Sequence, residues 1–187
     1  MSQLVLYDGR PEDLSGREDR EIRTYDFLDR IGIGYGRMDH EPVTTIDACE
    51  AVDNALGFHI CKNLFLCNRK KTEFFLLVMP GLKTFKAKEL KGQVETAGRL
   101  SFAHADKMLE YLDIEPGAVS IMGLMNDKDN HVQLLIDREI AEDEWLGCHP
   151  CVCTTSLKIK MKDILETYLP AVGHEPVIVE LTGEDVE

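Results

Sequence analysis

No run of apolar residues in this 187-residue chain approaches the roughly 20 needed to cross a bilayer. The first 16 residues are polar and lack the apolar centre of a secretory leader. A cytosolic protein is therefore expected, with its six cysteines as reduced thiols. Glycines at 32, 34 and 36 follow neither the phosphate-cradling nor the dinucleotide pattern, so they receive no nucleotide role. A Gly-x-Ser-x-Gly elbow is also missing, which removes the serine hydrolases built on one. Internal repeats and low-complexity linkers are absent. With 44% hydrophobic residues the chain can bury one substantial core. One domain is expected over 1–187, with a polar N-terminal segment at 1–16 and a frayed tail at 182–187.

Net positive charge is lacking too. The chain carries −13, which argues against DNA or a membrane surface as a nonspecific partner. The distribution is uneven, however. Residues 62–99 hold nine Lys or Arg against three acids, a local +6 that leaves −19 for the remainder. A basic block inside an acidic chain suggests one surface facing a polyanion; a solvated face is the plainer alternative.

Hydrophobic spacing gives the elements. A helix is expected over 15–30, capped by Ser15, and a short strand over 35–39. A second helix should run from Thr44 or Thr45 to Leu56 and end at Gly57. Strands at 62–67 and 73–79 read as a hairpin. Helices are expected at 85–94 and 101–112, the latter capped by Ser101. A second hairpin is expected from 119–125 and 132–136, then an acidic connector at 137–145. A strand at 151–159, a helix at 162–169 and a last strand at 177–181 complete an α+β chain.

Chemistry-bearing residues concentrate in two stretches. In the first, Lys62 and Asn63 open the strongly apolar strand Leu64-Phe65-Leu66. Lysine is seldom fully buried unless paired, and at the mouth of a strand it is well held to face a ligand. The second is Gly147-Cys148-His149-Pro150, leading into Cys151-Val152-Cys153. Cys148, Cys151 and Cys153 beside His149 could suggest zinc, but two separated ligand pairs are missing and Pro150 splits the group. Buried reduced thiols are the expectation, with no metal. The histidines at 59, 104, 131 and 174 read as surface or cap residues.

Lys62-Asn63-Leu64-Phe65-Leu66 with the basic turn Asn68-Arg69-Lys70-Lys71 resembles the lysine motif of the prolyl-tRNA synthetase-associated, or YbaK-type, editing domains. Gly147-Cys148-His149-Pro150 resembles that family's G-x-H-P loop. His40-Glu41-Pro42-Val43 through Thr45, and Pro116-Gly117-Ala118-Val119-Ser120, are similar in the same order. The likeness spans about 25–181. It implies a curved, mostly antiparallel mixed sheet surrounded by helices, and hydrolysis of a mischarged tRNA(Pro) without a cofactor. Alanyl-tRNA(Pro) is the implied substrate and cysteinyl-tRNA(Pro) the alternative, with prolyl-tRNA synthetase as a further partner.

By the same resemblance Lys62 is the catalytic residue. Asn63, Gly147, Cys148, His149, Pro150, His40 and Thr45 bind substrate, and Arg69, Lys70, Lys71, Lys86 and Lys88 bind tRNA. One departure stands out: where family members often carry asparagine after the G-x-H-P loop, this chain has Cys153, so bracing of the loop must come from elsewhere. A noncatalytic tRNA- or synthetase-binding module, and a thiol- or metal-based redox protein, are the competing readings.

Overall fold

The computed structural model describes residues 4–42, 57 and 61–183. Its strands fall into two sheets. One holds β1 (Tyr7–Asp8), β2 (Tyr35–Asp39), β8 (Thr155–Lys160) and β7 (Trp145–Cys148) in that order, all antiparallel. The other holds β5 (Ser101–Phe102), β3 (Cys61–Cys67), β4 (Phe74–Pro80), β6 (Val132–Asp137) and β9 (Val177–Val179). In this second sheet β5, β3 and β4 pair antiparallel, whereas β6 runs parallel to both β4 and β9. The architecture is α+β with mixed, mostly antiparallel pairing, as the sequence led us to expect.

The main core joins the two sheets. Tyr35, Leu146, Leu157 and Ile159 come from the first, and Phe65, Leu76, Val78 and Ile136 from the second. A second core covers the other face of the five-stranded sheet, with Leu66, Phe75, Leu77, Met79 and Leu135 meeting Leu90, Leu100, Val179 and Leu181. Strands β4 and β6 are thus buried on both faces, which explains their continuous apolar runs. No helix among the described residues is long and apolar enough to cross a membrane.

Several expected elements differ. The first helix is Asp19–Ile31, not 15–30: Ser15 donates its N–H to Asp13 in a turn, Gly16 adopts φ +78°, and Glu18 takes the cap position. Segment 1–16 is not merely a polar lead-in, because β1 adds an edge to β2. The expected helix 85–94 is a run of short turns. Its polar side chains are drawn to the C-terminal segment: Glu89 accepts from the N–H groups of Thr182 and Gly183, and Gln93 bonds Glu180 in both directions. Thr182 and Gly183 are therefore held rather than frayed. Ser101 does not cap a helix; it pairs with Cys67 in β5, and the helix Ala105–Leu112 starts after His104.

The second hairpin does not form. Residues Ile121–Met125 make a 3₁₀ turn capped by the Ser120 hydroxyl, which accepts from the N–H of Met122 at 3.1 Å. Gly123 fits there because a Cβ would lie 2.6 Å from Ile114 Cδ1. A short buried apolar run is compatible with helix or strand, and periodicity alone does not separate them. The acidic connector contains the helix Arg138–Glu142 and β7. The expected strand 151–159 starts only at Thr155, because Cys151 turns the chain with φ +63°. The last helix runs from Met161 to Val172 through a π-helical turn at Ile164–Tyr168. His174 is buried, with its ring Nε2 3.2 Å from the Asp127 carbonyl, and is no surface residue. The expected helix from Thr44 or Thr45 to Leu56, and His59, lie outside the described residues.

Candidate active site

Strand β3 presents its residues alternately to the two cores. Cys61, Phe65 and Cys67 belong to the core between the sheets, and Leu64 and Leu66 to the second core. Lys62 and Asn63 therefore leave the strand on opposite faces. The Lys62 ammonium donates to the backbone carbonyl of Lys83 at 2.8 Å. Lys83 is itself fixed: its Nζ lies 2.9 Å from Asp137 Oδ2 and 2.7 Å from Glu139 Oε1, and it also donates to the Leu181 carbonyl. Burial works against that ammonium, and the two carboxylates outweigh it and hold the Lys83 pKa above its ordinary value.

Asn63 points toward the core shared with β7. Its amide nitrogen makes one long bond, 3.4 Å, to the Cys61 carbonyl. Its Oδ1 is buried and has no hydrogen-bond partner among the described residues. A buried acceptor left unpaired costs about 1–3 kcal/mol. Such a cost is repaired by a ligand that brings a donor.

The second stretch closes β7. Cys148 is buried, and that burial, with the nearby Cys61 and Cys151 thiols adding to it, drives its pKa far above the ordinary thiol value. Burial likewise pushes Cys151 up to about 12, against the effect of the Thr24 hydroxyl, which donates to its sulfur at 3.6 Å. Thiols this far from ionising are poor nucleophiles. Among the described residues Cys67, Cys148, Cys151 and Cys153 are free thiols. Among the described residues no three His, Cys, Asp or Glu side chains are grouped to hold a metal ion.

His149 Nδ1 lies 2.7 Å from the Thr155 carbonyl. A carbonyl only accepts, so Nδ1 carries the proton and Nε2 is left as an acceptor. Burial holds this imidazole below its ordinary pKa, and the neighbouring His40 acts in the same direction. The His40 ring centre is 6.1 Å away. His40 is pinned by its own bonds: Nδ1 donates to the Glu41 carbonyl at 2.8 Å and Nε2 accepts from the Ser156 hydroxyl at 2.9 Å. The bonds from His149 to Thr155 and from Thr24 to Cys151 brace the loop where Cys153 replaces the expected asparagine.

Below His40 lies a polar cleft of about 490 Å³, lined in part by Arg17, Glu21, Asp39 and Thr155. Arg17 forks onto Asp39 with two 2.8 Å bonds and reaches Glu21 at 2.6 Å. Arg37 also bonds Asp39. Burial acts to raise the Asp39 pKa, and the two guanidinium groups reverse this and hold it at about 2. This network fixes β2 against β8, and hence His40 beside His149.

The structure thus brings His40 and His149 together just past the ends of β2 and β7, the two strands that flank β8. It places Gly147 and Cys148 on β7, the buried Pro150 in the loop, and Asn63 on the β3 face directed toward them. Lys62 meets the 81–84 loop instead. Thr45 lies outside the described residues. Arg69, Lys70 and Lys71 are exposed in the turn between β3 and β4, about 20 Å from Lys62 along the strand. Lys86 and Lys88 follow Lys83 on the Lys62 face. Sequence reasoning passed over Lys83, Asp137, Ser156 and Thr155; the only signal was a charged residue soon after each of two apolar strands.

The chain resembles known proteins along most of its length. A family model described as "Aminoacyl-tRNA editing domain" matches residues 40–167. The prolyl-tRNA editing protein ProX of Acetoanaerobium sticklandii is 30% identical over 154 residues, covering 82% of this chain and 93% of that one. The prolyl-tRNA synthetase associated domain-containing protein 1 of Danio rerio is 28% identical over 156 residues, covering 82% and 83%. A crystal structure of a candidate trans-editing enzyme for prolyl-tRNA synthetase superposes with a TM-score of 0.64 at 14% identity, over 88% of this chain and 98% of that one, which speaks for the fold.

Proposed function

The chain belongs to the aminoacyl-tRNA editing domain family, and on that premise we propose that it is a deacylase acting in trans on mischarged tRNA(Pro), with alanyl-tRNA(Pro) as substrate. The observation that carries this reading is the buried Oδ1 of Asn63, without a hydrogen-bond partner among the described residues, next to Lys62 on strand β3. An aminoacyl ester offers what that atom lacks, since its ammonium and ribose hydroxyls are donors.

The ester is already activated, so positioning of water is enough. In this reading the substrate's 2′-hydroxyl helps to orient the water. The Lys62 ammonium leaves the Lys83 carbonyl to meet the terminal phosphate or the charge developing on the ester. Backbone groups of Gly147 to Pro150 line the aminoacyl pocket. His149 seats the terminal adenosine through Nε2, with His40 behind it. The thiols take no covalent part. Prolyl-tRNA synthetase, which releases the mischarged product, is the expected neighbour in the cytosol.

Size decides the substrate. Alanine is smaller than proline, and a missing methylene in an apolar pocket is worth only about 1–3 kcal/mol, so a synthetase cannot exclude it strongly. A second site that admits only small side chains completes the selection. Cysteinyl-tRNA(Pro) is the second reading, since cysteine is also small. Replacing Lys62 by Ala tests the mechanism: deacylation should fall about 100- to 1,000-fold, while urea unfolding stays cooperative. Turnover near the unmodified level would remove Lys62 from the chemistry.

A further inference from the structure

The face of β3 that carries Lys62 continues past it. Leu64 and Leu66 follow on the same side, and Leu66 is paired directly with Phe102 of β5. Phe102 is 65% exposed, although the sheet could hold its register at that edge through the backbone alone. Phe85, packed on the second core, meets Phe102 edge to face with ring centres 5.9 Å apart. Around this pair lies a hollow of about 350 Å³ whose rim includes Lys86, Lys88 and Arg99. An exposed aromatic ring framed by three cations is unusual on a chain of net charge −13. The hollow lies about 13 Å along the strand from Lys62, the rise of four residues.

We propose that Phe102, supported by Phe85 and framed by Lys86, Lys88 and Arg99, is a stacking site for an unpaired nucleotide of the substrate's single-stranded 3′ end. The inference rests on the proposed function, in which the substrate is an aminoacylated RNA. Every base has a face that stacks on an aromatic ring, and cations beside the ring track the backbone phosphates. An ester held near Lys62 leaves the preceding unpaired nucleotides to run along β3 toward Phe102. The charge sign selects a polyanion over a basic or neutral surface, and the free aromatic face selects unpaired bases over a duplex or an acidic protein surface.

The test compares two RNA hairpins with the same stem, one carrying the single-stranded 3′ overhang and one blunt, binding to the full chain. The unmodified protein should prefer the overhang. Phe102→Ala should weaken overhang binding roughly tenfold, leave blunt binding unchanged and leave the salt slope unchanged. Phe102→Trp should restore the preference, and Lys88→Gln with Arg99→Gln should make the slope shallower. Equal losses on both hairpins, or no loss with Phe102→Ala, would overturn the stacking site. Loss of binding to prolyl-tRNA synthetase with RNA binding intact would overturn it in favour of a protein-docking patch. An unmodified chain that hydrolyses aminoacyl-tRNA while Phe102→Ala binds normally refutes only this inference. A chain that hydrolyses no aminoacyl ester refutes the functional reading instead.

Discussion

Lys62 donates to the carbonyl of Lys83 at 2.8 Å, and the side chain of Lys83 is anchored on Asp137, which is 1% exposed. Before substrate binds, the ammonium proposed for catalysis is thus held by a loop that an ion pair ties to β6, two strands away from β3. Replacing Lys83 by Met leaves Asp137 buried without its cation, which should cost about 3 kcal/mol or more in urea unfolding. The freed loop should also misplace Lys62 and lower turnover up to about 100-fold. Lys83→Arg keeps the charge and should recover most of both. Normal turnover in a destabilised Lys83→Met protein would separate the ion pair from catalysis.

The Asp39 network predicts a pH dependence with a definite sign. Held at about 2 when folded against about 3.9 in an unfolded chain, Asp39 favours folding as a carboxylate. Its contribution is complete above pH ~4 and is lost as pH falls toward ~2. Thermal unfolding followed from pH 5 to pH 2 should show a loss of stability, and Asp39→Asn should flatten that part of the curve. Because Asp39 is partly exposed, solvent screens the effect and the change should be modest. Parallel curves for the two proteins would contradict the assignment.

Much of this arrangement was readable in advance. The β3–β4 hairpin follows from two apolar runs around Asn68 to Thr72, and both motif stretches sit on or beside strands as their composition suggested. What sequence missed depends on long-range partners. Residues 85–94 carry a helical pattern, yet Glu89 and Gln93 are drawn to a segment about 90 residues away. Residues 119–125 read as a strand because fully buried runs hide their period. Strand β6 then pairs in parallel with β4, a crossover no local pattern encodes. At the site, sequence named Lys62 and Asn63 but not that alternation sends them to opposite faces.

The basic turn offers a third prediction. Arg69, Lys70 and Lys71 are exposed at the far end of β3, in reach of a stem whose end is held near Lys62. Neutralising all three should weaken tRNA binding and reduce the salt slope by about 0.9 for each phosphate that is no longer neutralised. Binding that weakens equally at all salt concentrations would place the RNA elsewhere.

The central claim is removal of a small amino acid from tRNA(Pro), and a side-by-side deacylation of alanyl-, seryl-, cysteinyl- and prolyl-tRNA(Pro) tests it most directly. The account predicts fastest loss of the alanyl ester, slower loss of the seryl ester and persistence of the prolyl ester. Faster loss of the prolyl than the alanyl ester would contradict selection by size, and a clear preference for the cysteinyl ester would contradict the assignment to alanine.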